Sequence, residues 1–198
     1  MARPRTVRLK IVFLGDGAVG KTSIAKRYLG ESFKGDYKAT IGADFYVKRD
    51  IYSFPDLGTF EFQWQIFDLA GQPTFKQVRP IYYQRAKAAI TVFDVSRPET
   101  FYSIRDWLRE FWTHAGGVYP FILVGNKVDL RGIQPCLGPE AGQRYAELLS
   151  KTLNFPIPYI ETSAKTGYNI NEAFRTLAHT LISWILRRAR VARRQATK

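Results

Sequence analysis

Val7-Arg-Leu-Lys-Ile-Val-Phe-Leu-Gly-Asp-Gly-Ala-Val-Gly-Lys-Thr22 is the stretch on which the fold turns. Residues 7–14 begin as an alternating pattern and end in four apolar residues, as a strand entering a covered sheet does. Gly15–Thr22 fits the phosphate-binding pattern G-x-x-x-x-G-K-[ST]. Ser23–Leu29 can form a helix, so the glycines lie between a strand and a helix, the context the motif needs. Gly15, Gly17 and Gly20 let the backbone wrap a phosphate with its N–H groups inward. The helix N-terminus adds a favourable dipole. Lys21 is placed to reach β- and γ-phosphates, and the Thr22 hydroxyl to ligate Mg²⁺. The expected phosphate cradle is therefore Gly15, Asp16, Gly17, Ala18, Val19, Gly20, Lys21, Thr22 and Ser23. The motif implies a nucleoside triphosphate and leaves the base open.

Composition bounds what surrounds that loop. The 198 residues are 45% hydrophobic and 15% aromatic, enough for one domain with a real core. No apolar run approaches the ~20 residues of a membrane span. No signal-type segment follows the N-terminus, and Ala2 excludes N-myristoylation. A single cysteine, Cys136, permits no internal disulfide and suits a cytoplasmic protein. Of the net charge of +13, ten sit on Arg3, Arg5, Arg8, Lys10, Arg187, Arg188, Arg190, Arg193, Arg194 and Lys198. The body is only mildly basic, which argues for basic tails and against a nucleic-acid-binding surface. We divide the chain into a basic arm at 1–8, a nucleotide-binding domain at 9–186 and a basic tail at 187–198.

Strand and helix signals alternate along the remainder. Gly30–Thr40 reads as a loop. Ala43–Phe54 and Thr59–Phe67 read as strands joined by the turn Pro55–Gly58, an antiparallel hairpin. Ala88–Val95, Pro120–Gly125 and Ile157–Ile160 read as short buried strands. Between them, Ser96, Pro98 and Glu99 signal a helix carrying Phe101, Ile104, Leu108, Phe111 and Ala115, stopped by Gly116 and Gly117. Trp107 and Trp112 on it read as packing residues. Glu140–Leu149 is a further helix. Asn169 is placed to cap a last one, with Phe174, Leu177, Leu181 and Ile185 on one face. The expectation is an α/β fold of the P-loop NTPase type. Its sheet has six mostly parallel strands, one of them antiparallel, with helices on both faces and ligands at the strand C-termini.

The base is chosen by Asn126-Lys127-Val128-Asp129, which follows a strand. Guanine offers N1–H and a 2-amino group, and one carboxylate accepts from both. Adenine would set Asp129 against an acceptor and leave a buried charge unpaired, a costly arrangement. Asn126 is suited either to the guanine N7 side or to bracing neighbouring loops. The Lys127 stem is suited to lie over the ring.

From Leu9 to about Ile185 the sequence resembles Ras-superfamily small GTPases. Five motifs carry the resemblance in order: Gly15–Thr22, Thr40, Asp68–Gln72, Asn126–Asp129 and Ser163-Ala164-Lys165. Thr40-Ile-Gly-Ala-Asp-Phe45, Glu161-Thr-Ser-Ala-Lys-Thr-Gly167 and Tyr82-Tyr83 look most like the Rab branch. The resemblance implies a GTP switch that hydrolyses GTP, with loops 33–43 and 68–83 binding effectors in the GTP state. It implies that Thr40 ligates Mg²⁺ and touches the γ-phosphate. Asp68 would hold Mg²⁺ through a water, Phe33 would stack near guanine, and Tyr37 would cover the phosphates. The Gly71 N–H would bond the γ-phosphate, and Gln72 would orient the attacking water. Ala164 N–H would meet the guanine oxygen, with Ser163 and Lys165 supporting its loop. Lys21, Thr40, Gly71 and Gln72 are thus the catalytic candidates. No arginine is evidently an internal finger, so slow intrinsic turnover, an activating protein (GAP), an exchange factor and effectors are expected for a monomer. Phe45, Phe67 and Tyr82 are candidate effector contacts.

The pattern is broken at Leu69 and Pro73, where Thr and Glu are usual. The tail has no prenylation cysteine. Its charge suits weak attachment to anionic lipid, which would place the protein peripherally at a membrane. Two other readings stand beside the switch: a guanine-nucleotide-locked binding module without useful turnover, and a P-loop ATPase.

Overall fold

The structure is a computed structural model describing residues 4–33 and 39–196, with side chains through 192. Six strands form one sheet in the order β2-β3-β1-β4-β5-β6. They are β1 (Arg5–Leu14), β2 (Ala43–Phe54), β3 (Gly58–Leu69), β4 (Ala86–Asp94), β5 (Phe121–Asn126) and β6 (Tyr159–Thr162). Only β2 runs antiparallel, pairing with β3 from Ala43↔Leu69 to Phe54↔Gly58. The helices are α1 (Lys21–Tyr28), α2 (Arg79–Tyr83), α3 (Pro98–Tyr102), α4 (Ile104–Ala115), α5 (Pro139–Leu153) and α6 (Ile170–Ala196).

Alternation along the central strands divides the core in two. Leu9, Ile11 and Phe13 of β1 pack in one cluster with Ile24 of α1 and Phe174, Leu177 and Leu181 of α6. Val12 and Leu14 point the other way, into a cluster with Ile104, Leu108 and Phe111 of α4 and Ala146 of α5. Burial on both faces is why these strands read as nearly continuous apolar runs. Trp64 of β3 is fully buried and stacks on Phe62 at 4.7 Å between ring centroids.

Besides shifts of a few residues at the ends of several elements, four differences from expectation stand out. The strand begins at Arg5, where Arg5 pairs with Phe60, so Arg5–Arg8 of the basic arm lie in the sheet. The predicted single helix is interrupted at Ser103, whose hydroxyl donates to Asp16 Oδ2 (2.8 Å) and lies 3.1 Å from the Thr100 carbonyl oxygen. Asn169 does not cap α6 with its side chain: it is left-handed (φ 55°), and its Nδ2 donates to the Glu161 carbonyl at 3.0 Å. Finally, α6 continues past Ile185 into the basic segment as far as Ala196.

Candidate functional site

Loops at the C-terminal edge of the sheet enclose a cleft of about 710 Å³. The phosphate loop supplies Gly17, Ala18, Gly20, Lys21, Thr22 and Ser23 to its wall. Phe33, Thr40, Leu69, Gly71 and Gln72 come from the two switch stretches, and Asn126, Lys127, Asp129, Ala164 and Lys165 from the ends of β5 and β6. Most of the expected site residues therefore meet in one cavity. Tyr37 lies outside the described residues.

The loop geometry explains its glycines. Gly15 has φ 133°, and a Cβ there would stand 2.1 Å from the Val92 carbonyl oxygen. At Gly20 (φ 98°) it would stand 2.3 Å from Asn126 Nδ2. That amide acts as a brace: Nδ2 donates to the Val19 carbonyl (2.9 Å), while Oδ1 accepts from Thr162 Oγ1 (3.0 Å) and Ala164 N (3.2 Å). Of the two roles open to Asn126, the structure displays the bracing one. Val19 is fully buried in the core, so its part in the site is its carbonyl.

Lys21 is 6% exposed, and its ammonium donates to the Gly15 (2.6 Å) and Asp16 (2.8 Å) carbonyls. Burial brings its pKa down to about 8, against the opposing pull of the Asp68 and Asp16 charges. Beside it, the Thr22 hydroxyl donates to Asp68 Oδ2 and lies 2.9 Å from Thr40 Oγ1. Asp68 is fully buried, and its Oδ1 has no hydrogen-bond partner among the described residues. Burial raises its pKa to about 6, although the Thr22 hydrogen bond and the Lys21 charge pull it down. Two hydroxyls and an under-satisfied carboxylate form an all-oxygen donor set, the chemistry a hard divalent cation takes. These residues fit Mg²⁺.

At the other end, Ser163 Oγ donates to Asp129 Oδ1 at 2.5 Å and accepts from Thr166 N at 3.1 Å, so Ser163 supports the loop from behind the wall. Arg131 pairs with Glu161 at 2.5 Å, joining the segment after β5 to β6. Gly71 lies directly on the phosphate loop: a Cβ there would be 2.4 Å from the Asp16 carbonyl carbon and 2.5 Å from Gly17 N. Gln72 is adjacent, its Cγ 3.7 Å from where a Gly17 Cβ would stand. Leu69 is nearly buried but reaches the cleft wall, and Pro73 opens a short 3₁₀ turn over Pro73–Phe75.

The Asp16 carboxylate is turned away from the cleft. It accepts from Trp107 Nε1 at 2.6 Å and from Ser103 Oγ, so only its backbone belongs to the phosphate site. Trp107 packs in the core as expected and also holds this loop. Arg79 lies 4.2 Å over the Trp107 ring, makes a two-pronged pair with Glu110 (2.7 and 2.8 Å) and donates to the Gln72 carbonyl at 3.3 Å. Sequence reasoning also missed Lys26 and Arg27, which line the cleft. Lys26 was within reach, four residues after Thr22 on one helix face. Phe45, Phe67 and Tyr82 form a chain of rings, 5.0 and 6.3 Å between centroids, and Phe45 is 53% exposed.

Comparison with known proteins agrees with this geometry. A model of the Ras family matches residues 10–183. The Ras-related protein Rab7 of Pisum sativum is 39% identical over 181 residues, 89% of this chain and 83% of that protein. Rab7A of Mesembryanthemum crystallinum is 38% identical over 92% of this chain and 86% of its own length. The Ypt/Rab-type GTPase avaA of Emericella nidulans is 33% identical over the same shares.

Proposed function

The chain belongs to the Ras family and to its Rab branch, and on that premise we propose how its residues divide the work. It is a GTP-binding switch that hydrolyses GTP to GDP and phosphate. One observation carries the assignment of roles. A single cleft is lined by Lys21, by Thr22 and Thr40 with the buried Asp68 carboxylate behind Thr22, and by the Ser163-held carboxylate of Asp129.

In this reading Asp129 accepts from N1–H and the 2-amino group of guanine, the Ala164 N–H exchanges its Asn126 Oδ1 acceptor for guanine O6, and Phe33 and the Lys127 stem flank the ring. Residues 15–23 wrap the phosphates. Thr22, Thr40 and, through a water, Asp68 would hold Mg²⁺, which would supply positive charge against the phosphates. Gln72 orients a water in line with the γ-phosphorus. The water oxygen bonds to phosphorus as the bond to the β–γ bridging oxygen breaks, and Lys21 faces the charge that collects on the leaving oxygen. Departure of phosphate frees Thr40 and the Gly71 N–H, and stretches 33–43 and 68–83 relax.

Family membership brings regulators and effectors in general. We place effector contact on Phe45, Phe67 and Tyr82, and an activating protein over Gln72. Residues 9–186 form the GTPase unit, with Arg5–Arg8 and α6 beyond 187 as basic extensions of its own strand and helix. No helix among the described residues is long and apolar enough to cross a membrane. The basic end of α6 is suited to weak contact with anionic lipid.

Single-turnover phosphate release tests the enzyme assignment. Wild type should convert bound GTP, and Gln72→Leu should slow it at least about tenfold, within the range for losing a group that positions a reactant. No GTP loss over hours, with no effect of the substitution, would leave a nucleotide-locked module. ATP displacing GDP at similar concentrations would refute the role given to Asp129.

A further inference from the structure

Asp94, at the C-terminal end of β4, was not a candidate from sequence and does not line the cleft. It is 1% exposed and pairs in register with Asn126 of β5. Its Oδ1 accepts from Ser96 N (2.9 Å) and Ser96 Oγ (2.6 Å). Its Oδ2 receives two cations: Lys127 Nζ at 2.7 Å and Arg97 Nε at 3.1 Å. Each cation leads to a different end of the cleft. Lys127 is in the guanine loop and is held in a left-handed conformation (φ 69°). Arg97 sends its Nη2 to the Gly17 carbonyl of the phosphate loop at 2.9 Å. On the guanine side the backbone repeats the link, with Val95 N donating to the Asn126 carbonyl at 3.0 Å.

We infer that Asp94 is a positioning residue that ties the guanine loop to the phosphate loop through Lys127 and Arg97, and so sets how long a nucleotide stays bound. The inference rests on the assignment of the cleft to guanine nucleotide. A buried carboxylate shared by two cations does more than satisfy hydrogen bonds. It cancels a repulsion that otherwise separates them, and removing it leaves two like charges around one neutral atom in a partly desolvated site. Lys127 and Arg97 then move apart, and the loops that grip base and phosphate lose their common anchor. Ser96 contributes only to the other oxygen and leads to neither loop.

The experiment is release of a fluorescent GDP analogue from loaded protein into excess GDP, for wild type and for Asp94→Asn, Arg97→Gln, the double variant and Ser96→Ala. Asp94→Asn should release about tenfold faster or more, the scale for unpairing a buried ion pair. Arg97→Gln should release faster by a smaller factor, because the Lys127 pair survives. The double variant should release more slowly than Asp94→Asn alone, since removing Arg97 also removes the repulsion. Ser96→Ala should stay within about twofold of wild type, as loss of one ordinary hydrogen bond at a still-paired group. A carboxylate that merely held the end of β4 together would give losses that multiply. Multiplying losses, or Asp94→Asn within twofold of wild type, would overturn the inference. Should Asp94→Asn fail to load, Arg97→Gln decides alone, and wild-type release from it is the overturning result. Wild type failing to load the analogue would instead sink the nucleotide assignment itself.

Discussion

At the scale of single residues, this site works by close approach. Gly71 has no room for a methyl group against Asp16 and Gly17. Gly71→Ala must therefore push the second switch stretch off the phosphate loop, moving Gln72 with it. Single-turnover hydrolysis should fall about 100-fold, the cost of a misplacement near 1 Å at a reacting centre; a wild-type rate would show that the contact has no catalytic consequence. The motif residues were legible because their chemistry is local: a lysine and a threonine after three spaced glycines carry their own context. The side-chain roles of Asp16, Trp107, Arg79 and Asp94 were not, because each acts through a partner more than 30 residues away or through a neighbour whose direction no pattern gives. Trp107 shows the limit best. Helical spacing correctly placed it in the core, yet the donor on its indole edge was assigned only when the fold brought Asp16 to it.

At the scale of elements, α2 is held to α4 by the Arg79–Glu110 pair, with Tyr83 Oη donating to Glu110 Oε1 at 2.9 Å. Burial works to raise the Glu110 pKa, but the Arg79 and Tyr83 hydrogen bonds and the Arg79 charge prevail and hold it below the ordinary carboxylate value of 4.5. The stability this pair adds is present above pH 4.5 and disappears as pH falls through the lowered value in the fold. Glu110→Gln leaves Arg79, 4% exposed, without its anion, and should cost about 3 kcal/mol at neutral pH. The gap from wild type should narrow as pH falls below 4.5 and through the lowered value in the fold, where Glu110 itself becomes protonated. Denaturant melts at pH 7 and pH 3 measure this, and an equal gap at both would refute it. At the other end of α4, Gly116 has φ 79° with open space around its Cβ position. Gly116→Ala should therefore cost only about 1 kcal/mol, through backbone strain alone. A loss several times larger would mean that the cap makes contacts beyond its own conformation.

At the scale of the whole molecule, the cleft is built from loops that belong to five strand ends, so its occupant should stabilise all of them together. GDP at 100 times its dissociation constant adds about 2.7 kcal/mol. That amounts to a rise in Tm of roughly 5–10 °C for a chain of this size. ATP at the same concentration should add nothing. Chelating Mg²⁺ should remove part of the GDP effect, because in the proposed arrangement the Thr22 and Asp68 oxygens would then lose the cation they share with phosphate. An equal shift with ATP would refute the guanine assignment. By itself the sequence determined the strand–loop–helix order, the antiparallel hairpin, the triphosphate loop and the preference for guanine. Each of these follows from residues adjacent in the chain, through hydrophobic period, turn chemistry or the donor pattern of one carboxylate. The tertiary structure decided what holds the loops in place. It made the Asp16 carboxylate an anchor for Trp107 and Ser103, gave Asn126 its bracing role, and brought Lys127 and Arg97 onto one oxygen of Asp94. Those outcomes depend on which strand ends become neighbours, and a sheet ordered β2-β3-β1-β4-β5-β6 sets side by side residues that the chain keeps far apart.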